Sequence, residues 1–149
     1  DREDLRYGEL YMFLPKEWNP GEAGQINSDI AQEEYWPIGL IKYLARFPHE
    51  YSTWLGWGHT IPNGPDYEPL APDTGMGGVV LVQIGGDMGS MEAKDGRKVN
   101  FYMVIPAYRE EIEYKLEYGM EALDKRFSEG NLPMVLDIHR PNLCADFKE

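Results

Sequence analysis

Gly78-Val79-Val80-Leu81-Val82-Gln83-Ile84 is an almost unbroken apolar run of strand length, rich in valine. Such a run marks a central strand, buried on both faces. Toward the C-terminus, Asp95-Gly96 is a favoured two-residue hairpin turn, expected to join a strand at Met91–Lys94 to one at Lys98–Ile105. An acidic segment from Ala107 to Ser128 follows, with Tyr108, Ile112, Leu116, Met120, Leu123 and Phe127 spaced 4, 4, 4, 3 and 4. That spacing predicts one amphipathic helix with all six on its buried face. Glu111 with Lys115 and Glu121 with Lys125 would form outer i,i+4 pairs, each contributing ~0.3–0.5 kcal/mol. Gly130 would end the helix as a C′ glycine. A last strand, Met134–Ile138, then precedes a turn at Arg140-Pro141-Asn142.

Toward the N-terminus, Leu10–Leu14 is apolar and aromatic and reads as a largely buried strand. Asn19-Pro20-Gly21 breaks it, and Asn27 or Ser28 could cap a helical segment from Asp29 to Tyr35. Pro37 suits the first turn of a second helix, with Ile38, Ile41, Leu44 and Ala45 on one face and a stop near Phe47-Pro48. Tyr51–Gly64, with Trp54, Leu55, Trp57 and Ile61, reads as a strand ending in the Pro62-Asn63-Gly64-Pro65 turn. Asp66–Gly78 holds Pro69, Pro72, Gly75 and Gly77 and reads as a loop.

The 149 residues suit one domain, and ten Tyr, five Phe and four Trp can supply a large core. No apolar run approaches the ~18 residues of a membrane span, and nothing resembles a signal peptide. Cys144 is the single cysteine, which excludes an intramolecular disulfide framework and makes the cytoplasm the expected location. Asp1 stands where a Met would open a complete chain, and the first strand follows almost at once. The sequence therefore reads as part of a longer polypeptide whose missing front adds to the same sheet.

Net charge is −12. Between Arg46 and Lys94 there is no Lys or Arg, while Glu50, Asp66, Glu68, Asp73, Asp87 and Glu92 all fall there. Such a surface repels nucleic acid and anionic lipid and draws basic partners inward. Charge of this size also serves solubility alone. The candidate partner surface is the acidic loop with Asp66, Tyr67, Glu68 and Asp73, together with Asp87 and Glu92. Tyr67 offers contact area with few rotors to freeze. An exposed edge strand is the alternative, adding a partner's strand to the sheet.

Catalytic signatures are missing from the pattern. His49, His59 and His139 lack metal-ligand spacing. His139, Asn142 and Cys144 lie too close in sequence to converge as a cysteine-protease triad. Asp137, His139 and Arg140 read as an ion-pair cluster that positions the chain end. Glu33-Glu34 and Glu110-Glu111 are helical neighbours pointing in different directions. Gly75, Gly77, Gly78, Gly85 and Gly86 match neither phosphate-binding pattern and are flanked by acids. No cofactor or metal is expected.

Several motifs together resemble one known family. Arg6-Tyr7-Gly8-Glu9-Leu10-Tyr11-Met12-Phe13-Leu14-Pro15, with Trp18, is similar to the E-L-x-hydrophobic-x-L-P strand of the Suppressor of fused (SUFU) domain family. Trp36-Pro37-Ile38 with Leu44-Ala45-Arg46-Phe47-Pro48 resembles its W-P…L-A-R helix. Gly58-His59-Thr60-Ile61 and Gly78–Ile84 resemble two of its strands. Phe101 to Pro106, Glu113, Gly119, Leu123 and Asp137-Ile138-His139-Arg140-Pro141 complete the ordered set. The resemblance implies an α+β domain, a mixed, mostly antiparallel sheet flanked by helices, over residues 1–149 without its N-terminal portion. It implies protein binding rather than catalysis. The best-known animal member restrains a transcription factor by clamping a peptide between two domains. The compact bacterial versions, which this chain resembles more, are read as cytoplasmic immunity proteins that neutralise toxins. A basic toxin domain would suit the charge, with His59, Trp36 and Trp57 as scaffold. A regulatory protein-interaction module is the alternative, and an enzyme of unknown class a distant third.

Overall fold

The computed structural model describes residues 6–18 and 32–147. Asn19 to Ala31, including the expected helix start at Asp29, lie outside the described residues. The central strand is β3 (Gly78–Val82), buried at every position. It pairs antiparallel with β5 (Lys98–Ala107), the longest strand described, with Gly78 opposite Ala107 and Val82 opposite Met103. On the far side of β5, β1 (Tyr7–Tyr11) runs parallel, with Tyr7 opposite Val99. β2 (Thr60–Pro62) pairs antiparallel with β3. β4 (Ser90–Glu92) closes the Asp95-Gly96 hairpin onto the start of β5. The spatial order β1-β5-β3-β2 leaves β1 and β2 at the sheet edges among the described residues. Fold class is therefore α+β with a mixed sheet, as the sequence indicates.

Alternation along the strands divides the core between the two faces. Val79, Leu81, Tyr102 and Val104 face α1 (Gln32–Glu50) and pack with Leu44. Val80, Val82, Met103, Ile105 and Ala107 face α2 (Arg109–Tyr118) and α3 (Met120–Glu129), meeting Ile112, Met120, Leu123 and Phe127. Helices on both faces explain why β3 and the Phe101–Ala107 part of β5 are apolar.

Several expected elements differ, each for a local reason. Pro37 does not start a second helix; α1 runs through it and through Pro48 to Glu50. Trp18 Nε1 donates to the Glu34 carbonyl at 2.8 Å, bracing the turn where Pro37 lacks an N–H. The buried stripe of α1 follows Trp36, Leu40 and Leu44, which turns Ala45 outward. Tyr51–Gly64 forms only the three residues of β2, because Gly58 at φ 81° breaks the extended run. The strand expected from Leu10 lies earlier, at Tyr7–Tyr11, and Met134–Ile138 makes one bridge, Phe13 to Val135.

The long helix is two helices. Ala107 closes β5, and Gly119, at φ 91° and ψ 167°, separates α2 from α3. That break turns Leu116 outward, 64% exposed, although its spacing matches the buried face. The left-handed cap of α3 is Asn131 (φ 53°), not Gly130. Asn131 N–H donates to the Ser128 carbonyl and Leu132 N–H to the Phe127 carbonyl, the paired bonds of a Schellman cap.

Candidate functional site

The acidic loop is tied closely to the sheet. Asn63 N–H donates to the Gly77 carbonyl at 2.8 Å, and Asn63 Nδ2 donates to the Glu68 carbonyl at 2.8 Å. Leu70 N–H donates to the Met76 carbonyl, and Thr74 Oγ1 reaches the Ile138 carbonyl at 2.9 Å. Tyr67 adopts φ 52°, and its ring is half-buried against the α2/α3 core, with the Arg109 guanidinium 5.0 Å from its centroid. Asp66 and Glu68 are exposed and Asp73 is half-buried. These four residues lie beyond the Gly78–Ala107 end of the sheet.

Asp87 and Glu92 lie at the other end. Asp87 sits in the short 3-10 turn Gly86–Met88, and Glu92 stands opposite Lys98 in the β4–β5 register. Nine residue-to-residue steps along β5 separate Lys98 from Ala107, a span of about 30 Å at ~3.3 Å per residue. The six residues thus form two separate acidic regions, not one surface. Among the described residues, no group of three or more His, Cys, Asp or Glu side chains could hold a metal ion.

A concavity lies elsewhere, and sequence reasoning missed it. A groove of about 890 Å³ opens between β1 and the C-terminal half of α1. Leu10, Ile41, Leu44, Leu55 and Tyr102 line it, with Arg6, Glu9 and His49 also contributing. Gly8, also lining the groove, has no side chain to fill it, and its Cβ position lies 3.2 Å from the Tyr102 ring. The volume is in the range of ligand sites, roughly 300–1,000 Å³.

Beside the groove runs a row of aromatic rings. Tyr43, Phe47 and Tyr51 recur every four residues, with centroids 6.0 and 4.6 Å apart. Trp54, which lines the groove, is 49% exposed and stacks on His59 at 4.3 Å. Trp57, expected as scaffold, is exposed as well, whereas Trp36 is buried. The i,i+4 recurrence of Tyr43, Phe47 and Tyr51 was the available signal. Helical spacing puts it on the same side of α1 as Trp36, Leu40 and Leu44, so the row continues that stripe toward the helix end.

A buried ion pair fastens the C-terminal segment. Glu111, fully buried, accepts from Arg140 Nη1 at 2.7 Å and Nη2 at 2.5 Å, and from the N–H groups of Tyr108 and Leu143. Arg140 Nη2 also donates to the Pro106 carbonyl, while Tyr108 Oη donates to the Arg140 carbonyl. Glu111 is thus not the outer partner of Lys115. Arg140 pairs with a helix 29 residues back, and Asp137 accepts from the His139 N–H.

A family model described as Suppressor of fused protein (SUFU) matches residues 2–141. The chain belongs to the SUFU family. Solved structures with a similar fold include the Sufu–Fu complex, with a TM-score of 0.66 at 13% identity over 90% of this chain and 56% of that one. Drosophila Suppressor of Fused gives 0.65 at 14% identity, over 90% of this chain and 31% of that one. A SUFU homolog from Neisseria gonorrhoeae FA 1090 gives 0.57 at 21% identity, over 72% of this chain and 56% of that one. The chain therefore spans about half or less of the length of these SUFU structures. No curated protein matches the sequence significantly.

In this SUFU domain the motif residues divide between packing and surface. Trp36, Leu44, Gly78 and Arg140 are buried, whereas Phe47 and His59 are partly exposed near the groove. Cys144 is fully buried, and burial pushes its thiol up to about 11. It is expected to resist alkylation by iodoacetamide at neutral pH until urea unfolds the chain. Rapid native modification, followed by mass spectrometry, would contradict that burial.

Proposed function

We propose that this SUFU domain is a non-enzymatic protein-binding domain that receives an apolar segment of its partner in the groove between β1 and α1. The supporting observation is the set of exposed rings Tyr43, Tyr51 and Trp54, with half-buried Phe47 among them, at a groove of mixed polar and apolar lining. Large exposed aromatics around a pocket are the usual source of interface hot spots. Solvent-facing rings of this number add little to folding, so a binding role accounts for them better. The Sufu–Fu complex shows that a related chain forms a protein complex.

The finer reading is an immunity protein that neutralises a basic toxin. It is supported by the −12 net charge and by the Lys/Arg-free stretch between Arg46 and Lys94. Asp66, Glu68 and Asp73 would then steer the partner from one end of the sheet, with Tyr67 as contact area, and Asp87 and Glu92 from the other. Capture from a native lysate at low salt, with elution by a salt gradient, tests this reading. A basic toxin encoded beside the bait and released as salt rises is the expected result. A toxin held equally well at high salt would remove the electrostatic part. A partner that is not a toxin would favour a regulatory interaction module.

A further inference from the structure

Resting on the groove as the partner site, we propose that the His59–Trp54 stack makes its occupancy proton-dependent, with the partner held at neutral pH and released in acid. Trp54 lines the groove, and the His59 ring lies 4.3 Å from the Trp54 ring, tilted by 50°. A segment covering Trp54 therefore also removes water from His59. The main chain that carries the ring is held in place. His59 N–H donates to the Gly56 carbonyl at 3.1 Å, and its carbonyl accepts from the Leu81 N–H of β3 at 2.9 Å.

The groups acting on the imidazole are few. Burial and the charge of Lys115 on α2 lower its proton affinity below the ordinary histidine value. From its own loop, a bond to the Trp54 carbonyl opposes them. The indole face also attracts a cation, in the same sense as that carbonyl. The net direction is downward, and a covering segment adds to the dominant cause, burial. A partner that accepts only neutral His59 keeps full affinity above the free-state pKa. Its affinity falls toward tenfold per pH unit below that point.

The uncharged fluorophore N-phenyl-1-naphthylamine serves as the groove probe. It is titrated into protein labelled with fluorotryptophan, whose Trp54 line reports where the probe sits. The His59 imidazole signal is followed by NMR from about pH 5 to 8. The expected result is a Trp54 line moved by the probe, a lower His59 midpoint in the bound state, and weaker probe binding in acid. His59→Phe should bind the probe with no pH slope. An unchanged His59 midpoint under saturating probe would overturn the proposal, and needs only the wild-type protein. So would a wild-type pH slope persisting in His59→Phe. A Trp54 line that the probe does not move would instead remove the groove reading, and this proposal with it.

Discussion

Replacing Arg140 by methionine is expected to lower the free energy of unfolding by about 3–5 kcal/mol. The loss arises less from the missing attraction than from what remains, a Glu111 carboxylate with no solvent exposure and no cation. Proteins of this size have roughly 5–15 kcal/mol to lose, so the variant should stand near the edge of folding. The same change frees the Pro106 carbonyl and loosens residues 140–143 from α2. Glu111→Gln should cost a similar amount, because it leaves the Arg140 guanidinium, only 4% exposed, without a counter-charge and turns an amide N–H toward its donors. Urea unfolding with an unchanged slope would measure both. A loss below about 1 kcal/mol for either variant would contradict the buried-charge account.

Trp54→Ala is expected to weaken partner binding by at least about 2 kcal/mol, roughly thirtyfold, as for a central aromatic hot spot. Its effect on stability should stay within about 1 kcal/mol, since half of the ring already faces water. Asp66→Asn should behave differently, changing association rate and salt dependence by a few-fold while leaving dissociation nearly intact. Binding kinetics with the captured partner separate the two. Wild-type affinity in Trp54→Ala would show that the groove is not the contact.

The strands easiest to read were those with one physical constraint along their whole length. Val79 to Val82 had to be apolar on both faces because helices cover both. Asp95-Gly96 supplied the left-handed residue its hairpin needs, with Gly96 at φ 85°. The break at Gly119 was hidden because the apolar spacing carries on through it from Ile112 to Phe127, and periodicity records no direction of travel. Glu111 looked like an ordinary surface acid because its partner, Arg140, lies 29 residues away. Trp54 and Trp57 raised a different difficulty. An aromatic residue serves a core or an interface equally well, and only its burial distinguishes them. The loop from Asp66 was legible from its prolines and glycines, yet its separation from Asp87 and Glu92 follows from strand direction, which composition does not encode.

The two acidic ends of the sheet have an electrical consequence. Screening in physiological salt confines a surface charge to about 8 Å, far less than the roughly 30 Å along β5. Asp66 and Glu68 at one end and Asp87 at the other therefore act as independent poles. An approaching cationic protein would respond to whichever pole it nears first. Neutralising one pole would leave the other's pull intact.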